Sequence, residues 1–195
     1  MSDPGPYEAI AGFYDRWCDE VVEDVQFYRA LCLGCDGPVV ELGAGTGRIS
    51  VPVARDGAPV WALDLSPAML ARLRERAAAA GVADRIETVV GDLEALPALP
   101  ATDRVISPFR ALLHLPDDAA RRRLLAAVHA ALRPGGLLAF DVFEPTRADI
   151  RATHDRWITR AASGVRERAR WDPEAGTFDL DVRFRGEGTS MRLSY

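Results

Sequence analysis

Apolar and polar residues follow two different periods in the earlier and later parts of the chain. Up to residue 145, short apolar runs alternate with segments whose apolar residues recur at helical spacing. The apolar runs predict five strands, at 38–42, 59–63, 85–90, 103–107 and 137–143. Helices are predicted before and between them, at 7–33, 46–55, 66–80 and 117–132. Strands that alternate with helices indicate a parallel sheet with right-handed crossovers.

The pattern changes beyond Pro145: residues 146–163 are polar and compatible with one irregular helix, and from Val165 onward apolar residues alternate with polar ones at a period of two. Val165–Trp171 and Thr177–Arg185 predict two strands of a hairpin, and 191–195 predicts a third strand. In the second of these strands one face is apolar and the other is charged, formed respectively by Phe178, Leu180, Val182 and Phe184 and by Asp179, Asp181, Arg183 and Arg185. The predicted fold class is therefore α/β, a doubly wound, mainly parallel sheet with helices on both faces, plus an antiparallel β extension after the fifth strand. We expect a core over 1–145 and an appendage over 146–195.

Composition narrows the class of protein without identifying it. The 195 residues carry a formal net charge of -5, and every basic residue is Arg. No apolar run approaches the ~18 residues of a membrane span, and MSDPGPYEAI resembles no export signal, so we expect a cytoplasmic protein. Cys18, Cys32 and Cys35 do not form a disulfide framework or a zinc site, and we interpret them as small buried thiols without bound metal.

A glycine-rich turn carries the first chemical signal. Glu41 to Gly47 (ELGAGTG) follows a predicted strand and opens a helix. Glycines there permit a tight turn and a close ligand, and the N–H groups of the helix N-terminus favour an anionic group. Asp64 ends the next strand, where a carboxylate accepts hydrogen bonds from both hydroxyls of a ribose. This pattern predicts an adenosine-containing cofactor and leaves NAD open.

Later motifs distinguish between the possible adenosine-containing cofactors. The spacing of the turn is G-x-G-x-G rather than the dinucleotide fingerprint G-x-G-x-x-G. The third strand ends at Gly91-Asp92-Leu93, which adds a carboxylate at the ligand-binding edge of the sheet. Together VVELGAGTGRIS, LDLSPAML, GDLEAL and LRPGGLLAFDVFEP resemble the successive motifs of class I S-adenosylmethionine-dependent methyltransferases, over about residues 7–145.

The resemblance implies roles for individual residues. Gly43, Ala44 and Gly45 would hold the methionine part of S-adenosylmethionine, with Glu41 polarising the loop beneath it. Asp64 would bind the ribose, Leu65 and Met69 would flank the adenine, and Asp92 with Leu93 would contact the adenine edge. Ser107 and Phe109 would lie beside the sulfonium and the acceptor. The N-terminal helix resembles a lid, which makes Tyr14 and Tyr28 candidates for the cofactor or acceptor mouth, with ordinary core packing as the alternative.

The acceptor is expected to be a small molecule with a nitrogen or oxygen target. Ser107-Pro108-Phe109-Arg110 differs from the tetrad of enzymes that methylate nucleic-acid bases, and net charge -5 disfavours binding to a phosphate backbone. In-line displacement from a sulfonium needs alignment more than a general base. His114, just past the fourth strand, is the candidate base. The alternatives are an NAD(P)-dependent oxidoreductase, which this Lys-free chain fits poorly, and a cofactor-binding protein without turnover.

Length adds one expectation about how the sheet is completed. Members of the resembled family usually continue after the fifth strand with a helix and two more strands, often after an antiparallel insertion. We interpret residues after 165 as that insertion, which leaves the final strands missing by truncation or divergence. An open edge of the parallel sheet would then favour pairing with a second copy of the chain. Alternatively, the hairpin at 165–185 closes the main sheet itself.

Overall fold

The computed structural model describes residues 4–18 and 22–195. Its centre is a five-stranded parallel sheet with the order β3-β2-β1-β4-β5. The strands are β1 Val39–Leu42, β2 Val60–Asp64, β3 Ile86–Val90, β4 Thr102–Ser107 and β5 Leu132–Phe140. The predicted strands are thus confirmed, with β5 beginning five residues before the expected apolar run, across a register shift between Thr102 and Arg104.

Helices cover both faces of this sheet, as predicted. They are α1 Tyr14–Cys18, α2 Glu23–Cys32, α3 Ser50–Arg55, α4 Pro67–Ala79, α5 Asp118–Ala131 and α6 Arg147–Thr153. Apolar residues of α2, α3 and α4 pack with Val39 on one face, whereas α5 packs with Val40 and Leu42 on the other. Ser66 begins α4 by accepting a hydrogen bond from the Met69 N–H through its hydroxyl. Within the described residues, no helix combines the length and apolarity needed to span a membrane.

The single helix predicted for 7–33 is wrong. Described residues there form a 3-10 turn at Glu8–Ile10, then α1 and α2, while 19–21 lie outside the described residues. Gly12 lies between the first two pieces, and glycine is a poor helix former. Apolar residues of the pieces pack in different clusters, Phe13 against the later antiparallel sheet and Tyr28 against the parallel sheet. One straight helix could not pack against both the antiparallel sheet and the parallel sheet.

The C-terminal part forms a separate antiparallel sheet with the order β6-β7-β8-β9. Its strands are β6 Ile158–Thr159, β7 Arg166–Asp172, β8 Thr177–Phe184 and β9 Glu187–Ser194. Phe178 and Val182 on the predicted apolar face of β8 are buried against the N-terminal segment. On the predicted solvated face Asp181 is also buried, which corrects the expectation of a fully wet face.

The hairpin does not close the parallel sheet. Strand β7 pairs with β6 and β8, and β5 pairs with β4 among the described residues. The antiparallel sheet instead lies over the N-terminal segment and the carboxyl edge of the parallel sheet. The buried cluster that joins them contains Ile10 and Trp17, Met69 of α4, Leu113, and Met191 of β9. Cavities at that edge therefore have walls from both sheets.

Candidate functional site

The glycine turn after β1 brings the backbone to the edge of the site. Gly43 and Gly45 have positive φ angles of 77° and 55°. The N–H groups of Gly43 and Ala44 both donate to the carbonyl of Leu63, at 2.9 and 2.8 Å. A Cβ on Gly43 would lie 2.6 Å from the Cβ of Ala111. Only glycine therefore fits that position, and the backbone there can approach a ligand closely.

Asp64 at the end of β2 links this turn to the next helix. Its Oδ2 accepts from the Gly45 N–H at 2.8 Å, and its Oδ1 accepts from the Ser66 N–H at 2.9 Å. Burial raises the pKa of Asp64, and hydrogen bonds from Ser66, Gly45 and Leu65 oppose that shift. A carboxylate has about four lone-pair directions. Its oxygens therefore retain acceptor capacity for hydroxyl groups of a ligand.

A cavity of about 570 Å³, the first cavity, opens beside these residues. Its volume lies within the roughly 300–1,000 Å³ typical of small-molecule sites. Ten of the predicted site residues line it: Tyr14, Gly43, Gly45, Asp64, Leu65, Met69, Asp92, Leu93, Phe109 and His114. Residues from five separate segments thus meet at the carboxyl edge of the parallel strands, where open α/β sheets bind ligands.

Three predicted residues lie behind the glycine turn rather than on the wall of the first cavity. Ala44 is buried, and the Ser107 hydroxyl donates to the carbonyl of Leu42 at 3.1 Å. Glu41 is 2% exposed and accepts a hydrogen bond from the Ser50 hydroxyl. Burial raises the pKa of Glu41 to about 8, although the Ser50 hydrogen bond opposes the shift. These groups support the turn from inside the core.

Tyr28 does not line the first cavity. Its ring is buried in the core beneath the parallel sheet, and its hydroxyl donates to Oδ1 of Asp141 at 2.9 Å. The structure therefore brings Tyr14 to the cavity mouth but leaves Tyr28 as a core residue that holds Asp141. The reason is that α2, unlike α1, packs against α3 and the parallel sheet.

Asp141 in turn fixes an unusual turn after β4. Phe109 and Arg110 are consecutive non-glycine residues with positive φ angles of 55° and 64°. Asp141 accepts from both of their N–H groups, Oδ1 from Phe109 at 2.6 Å and Oδ2 from Arg110 at 2.9 Å. Backbone of this kind costs of order 1–3 kcal/mol per residue and concentrates at functional sites. The turn lies between the first cavity and a second, smaller one.

The second cavity, of about 170 Å³, lies between this turn and the antiparallel sheet. It shares Tyr7, Phe109 and His114 with the first cavity. Four further aromatic side chains from distant segments line it: Trp17, Phe143, Trp171 and Phe178. Cys18 also lines it, and burial raises the pKa of that thiol to about 12, so it is not a reactive thiolate.

Tyr7 and His114 form a polar pair at the boundary of the two cavities. The Tyr7 hydroxyl lies 2.9 Å from Nε2 of His114, and the rings meet edge to face with centroids 5.2 Å apart. Burial lowers the pKa of His114 to about 4 and raises that of Tyr7. Both groups are therefore uncharged at neutral pH.

Several residues on the wall of the first cavity were missed by the sequence analysis. They are Gly5, Pro6 and Tyr7 near the N-terminus, Ala111 near the turn, and Ser190, Met191 and Arg192 on β9. Glu8 was missed as well: it accepts hydrogen bonds from the Ala68 N–H, at 3.0 Å, and from the Ser66 hydroxyl at the start of α4. No local pattern marks these residues, because their positions depend on packing between distant segments.

The first cavity has the chemistry that an adenosyl cofactor needs. Asp64 offers carboxylate oxygens to ribose hydroxyls, Leu65 and Met69 offer apolar surface to a base, and Gly43 offers close backbone approach. No charged imidazolium opposes a cationic sulfonium, because His114 is neutral. The residues present therefore fit S-adenosylmethionine.

Comparison with known proteins defines the class. Residues 39–136 match a family model described as "Methyltransferase domain". The chain therefore belongs to this family, the class I S-adenosylmethionine-dependent methyltransferases. The NAD(P)-dependent oxidoreductase alternative is not favoured.

Individual relatives show how far the similarity extends. A trans-aconitate 2-methyltransferase from Mycobacterium tuberculosis is 35% identical over 159 residues, which cover 78% of this chain and 54% of that protein. The chain thus spans about half the length of the curated relatives it matches. The CcbJ methyltransferase of Streptomyces caelestis has a similar structure, with a TM-score of 0.82 at 27% identity, covering 100% of this chain and 82% of CcbJ. The glycopeptide N-methyltransferase MtfA in complex with S-adenosylmethionine has a TM-score of 0.58 at 26% identity, covering 91% and 79%.

Proposed function

We propose that this protein transfers a methyl group from S-adenosylmethionine to a nitrogen or oxygen of a small-molecule acceptor. The observation that carries the proposal is the position of Asp64, whose carboxylate lines the first cavity beside the Gly43–Gly45 turn. The relatives named for trans-aconitate and for glycopeptide methylation support this class of acceptor. The first cavity would hold the cofactor and the second cavity would hold the acceptor.

S-adenosylmethionine supplies an activated methyl group on a sulfonium. Residues of this chain would bind its parts as the motifs predict, with Asp64 on the ribose, Leu65 and Met69 beside the adenine, and Asp92 with Leu93 at the adenine edge. Gly43 to Gly45 would hold the methionine part, supported from behind by Glu41 and Ser107. Phe109, shared by both cavities, would separate the cofactor from the acceptor and exclude water.

Alignment, rather than strong base catalysis, is the main contribution that these residues can make. With a pKa of about 4, His114 is a weak base. Its neutral ring can still accept a hydrogen bond from the methyl acceptor or donate one to it. Tyr7 holds one ring nitrogen of His114, and Tyr14 packs edge to face against Tyr7. Well-oriented reactants gain up to ~7–11 kcal/mol from positioning alone. We therefore assign His114, Tyr7 and Tyr14 to positioning the acceptor.

Isothermal titration with S-adenosylhomocysteine tests the cofactor site. We expect the wild type to bind it and not NAD, and Asp64→Ala to weaken binding at least tenfold, because charge-assisted hydrogen bonds are worth about 1.5–3 kcal/mol. Asp117→Ala is the matched control: Asp117 also accepts a backbone N–H at a helix start, from Ala120 at 2.7 Å, but lies outside both cavities. No heat with S-adenosylhomocysteine, or equal affinity in Asp64→Ala, would contradict the proposal.

Turnover separates an enzyme from a binding protein that retains the fold. Release of S-adenosylhomocysteine from S-adenosylmethionine, measured over a panel of small amines, phenols and carboxylic acids, should rise above background with some members. Cofactor binding without release on any of these would favour the non-catalytic alternative. The division into a core over 1–145 and an appendage over 146–195, the cytoplasmic location, and the homodimer through the open edge of the sheet stay predictions.

A further inference from the structure

Arg110 lies at the mouth of the second cavity on the strained turn that Asp141 holds. Its guanidinium carbon is 4.6 Å from the centroid of the Phe143 ring and 5.8 Å from that of Phe109. Within residues 4–18 and 22–195, this guanidinium has ring contacts but no hydrogen bond and no ion pair. Its N–H donors are therefore free for a ligand.

The other charged side chains of the second cavity compensate one another. Oε2 of Glu167 accepts from Nε of Arg160 at 3.2 Å and from Nε1 of Trp17 at 2.9 Å. His114 is uncharged at neutral pH. The lining therefore carries one net positive charge, on Arg110. A cavity with this charge and aromatic walls suits an anion with an apolar body better than an amine.

We propose that the second cavity binds a small organic anion, and that the guanidinium of Arg110 holds its carboxylate. The inference rests on the proposed function in that this anion would be the methyl acceptor. A guanidinium stacked on a ring keeps its N–H groups at its edge, where a carboxylate can accept two of them side by side. Asp141 is then a positioning residue, because it fixes the backbone that carries Arg110.

The size of the second cavity indicates suitable probes. A protein cavity of about 150 Å³ can hold benzene, so one-ring compounds match a cavity of about 170 Å³. Benzoate, benzamide and benzylamine share a ring but carry a negative, no and a positive charge. We would titrate each into the full chain saturated with S-adenosylhomocysteine, using heat and ligand-observed NMR.

We expect benzoate to bind at least tenfold more tightly than benzamide, a difference of about 1.4 kcal/mol, and benzylamine more weakly still. Arg110→Gln should remove the preference for benzoate, and Arg110→Lys should retain part of it. Arg166→Gln is the matched control, because Arg166 is also exposed and also stacks on a ring, that of Trp157, but lines neither cavity. It should leave benzoate affinity unchanged.

Three results would overturn the proposal: tighter binding of benzylamine or benzamide than of benzoate, benzoate affinity unaffected by Arg110→Gln, or binding of none of the three probes. Each leaves the cofactor site intact if S-adenosylhomocysteine still binds. Loss of S-adenosylhomocysteine binding in the wild type would instead contradict the proposed function itself. The two failures are therefore distinguishable in one set of titrations.

Discussion

The two cavities differ in what builds them. The first lies at the carboxyl ends of parallel strands, and its central contacts are backbone groups of the glycine turn and one carboxylate. The second is enclosed by side chains from the N-terminal segment, the turn at Phe109 and the antiparallel sheet. Backbone geometry suits a cofactor common to a whole family, whereas side-chain walls can change from one acceptor to another.

The largest effect expected on the first cavity comes from Gly43→Ala. The added Cβ would meet the Cβ of Ala111 at 2.6 Å, in a backbone with positive φ, so the turn must shift. We expect S-adenosylhomocysteine affinity, measured by titration, to fall at least a hundredfold, about 2.7 kcal/mol. Gly81→Ala is the matched control: its φ of 71° is similar, but a Cβ there meets nothing within 4 Å. Comparable losses of affinity in both variants would contradict a steric role for Gly43.

A smaller effect tests the framework that supports the second cavity. Buried Asp181 accepts hydrogen bonds from Arg168 at 2.8 Å, Arg170 at 2.5 Å and Ser190 at 2.6 Å. Asp181→Asn should lower the free energy of unfolding by about 2–3 kcal/mol, since it removes the ion pair of Arg170 and one of the two ion pairs of Arg168, the other being with Asp155. The more exposed Asp179–Arg192 pair gives the control, because Asp179→Asn should cost under ~1 kcal/mol. Equal costs would contradict the importance of the buried carboxylate.

The contribution of Asp181 to stability should also depend on pH. Burial alone would raise the pKa of Asp181, but hydrogen bonds from Arg170, Ser190 and Arg168 outweigh it and hold that pKa below its usual range. A carboxyl with a lowered folded pKa stabilises the protein above its unfolded pKa, and the contribution is lost as the pH falls toward the folded value. The difference in stability between wild type and Asp181→Asn should therefore shrink below about pH 4.

The smallest effect expected concerns Glu41, beneath the first cavity, and it has the opposite pH dependence. Because burial raises its pKa to about 8, the folded state keeps a proton that the unfolded state loses near pH 4.5. Stability from this group is present at low pH and falls as the pH rises toward 8. Glu41→Gln should therefore gain about 1 kcal/mol on the wild type between pH 6 and pH 7. Denaturant unfolding at several pH values measures it, and a constant difference would contradict the shift.

The contrast between the cavities also explains what the sequence could predict. Gly43, Gly45, Asp64 and Asp92 follow predicted strands, so local pattern places them at one edge of the sheet. Tyr7 and the β9 residues at 190–192 reach that edge through non-local packing, which no period in the sequence encodes. The split of the predicted helix at 7–33 has the same origin, since Phe13 and Tyr28 pack in different hydrophobic clusters. Burial of Asp181 depends likewise on arginines from the neighbouring strand.

The central claim is that the first cavity binds the cofactor and the second cavity binds the acceptor. A crystal structure of the chain with S-adenosylhomocysteine and benzoate tests this claim most directly. We predict the ribose hydroxyls on the Asp64 carboxylate, the adenine between Leu65 and Met69, and the benzoate carboxylate on Arg110 in the second cavity. Nucleoside density in the second cavity, or a ribose without contact to Asp64, would contradict the assignment of the two cavities.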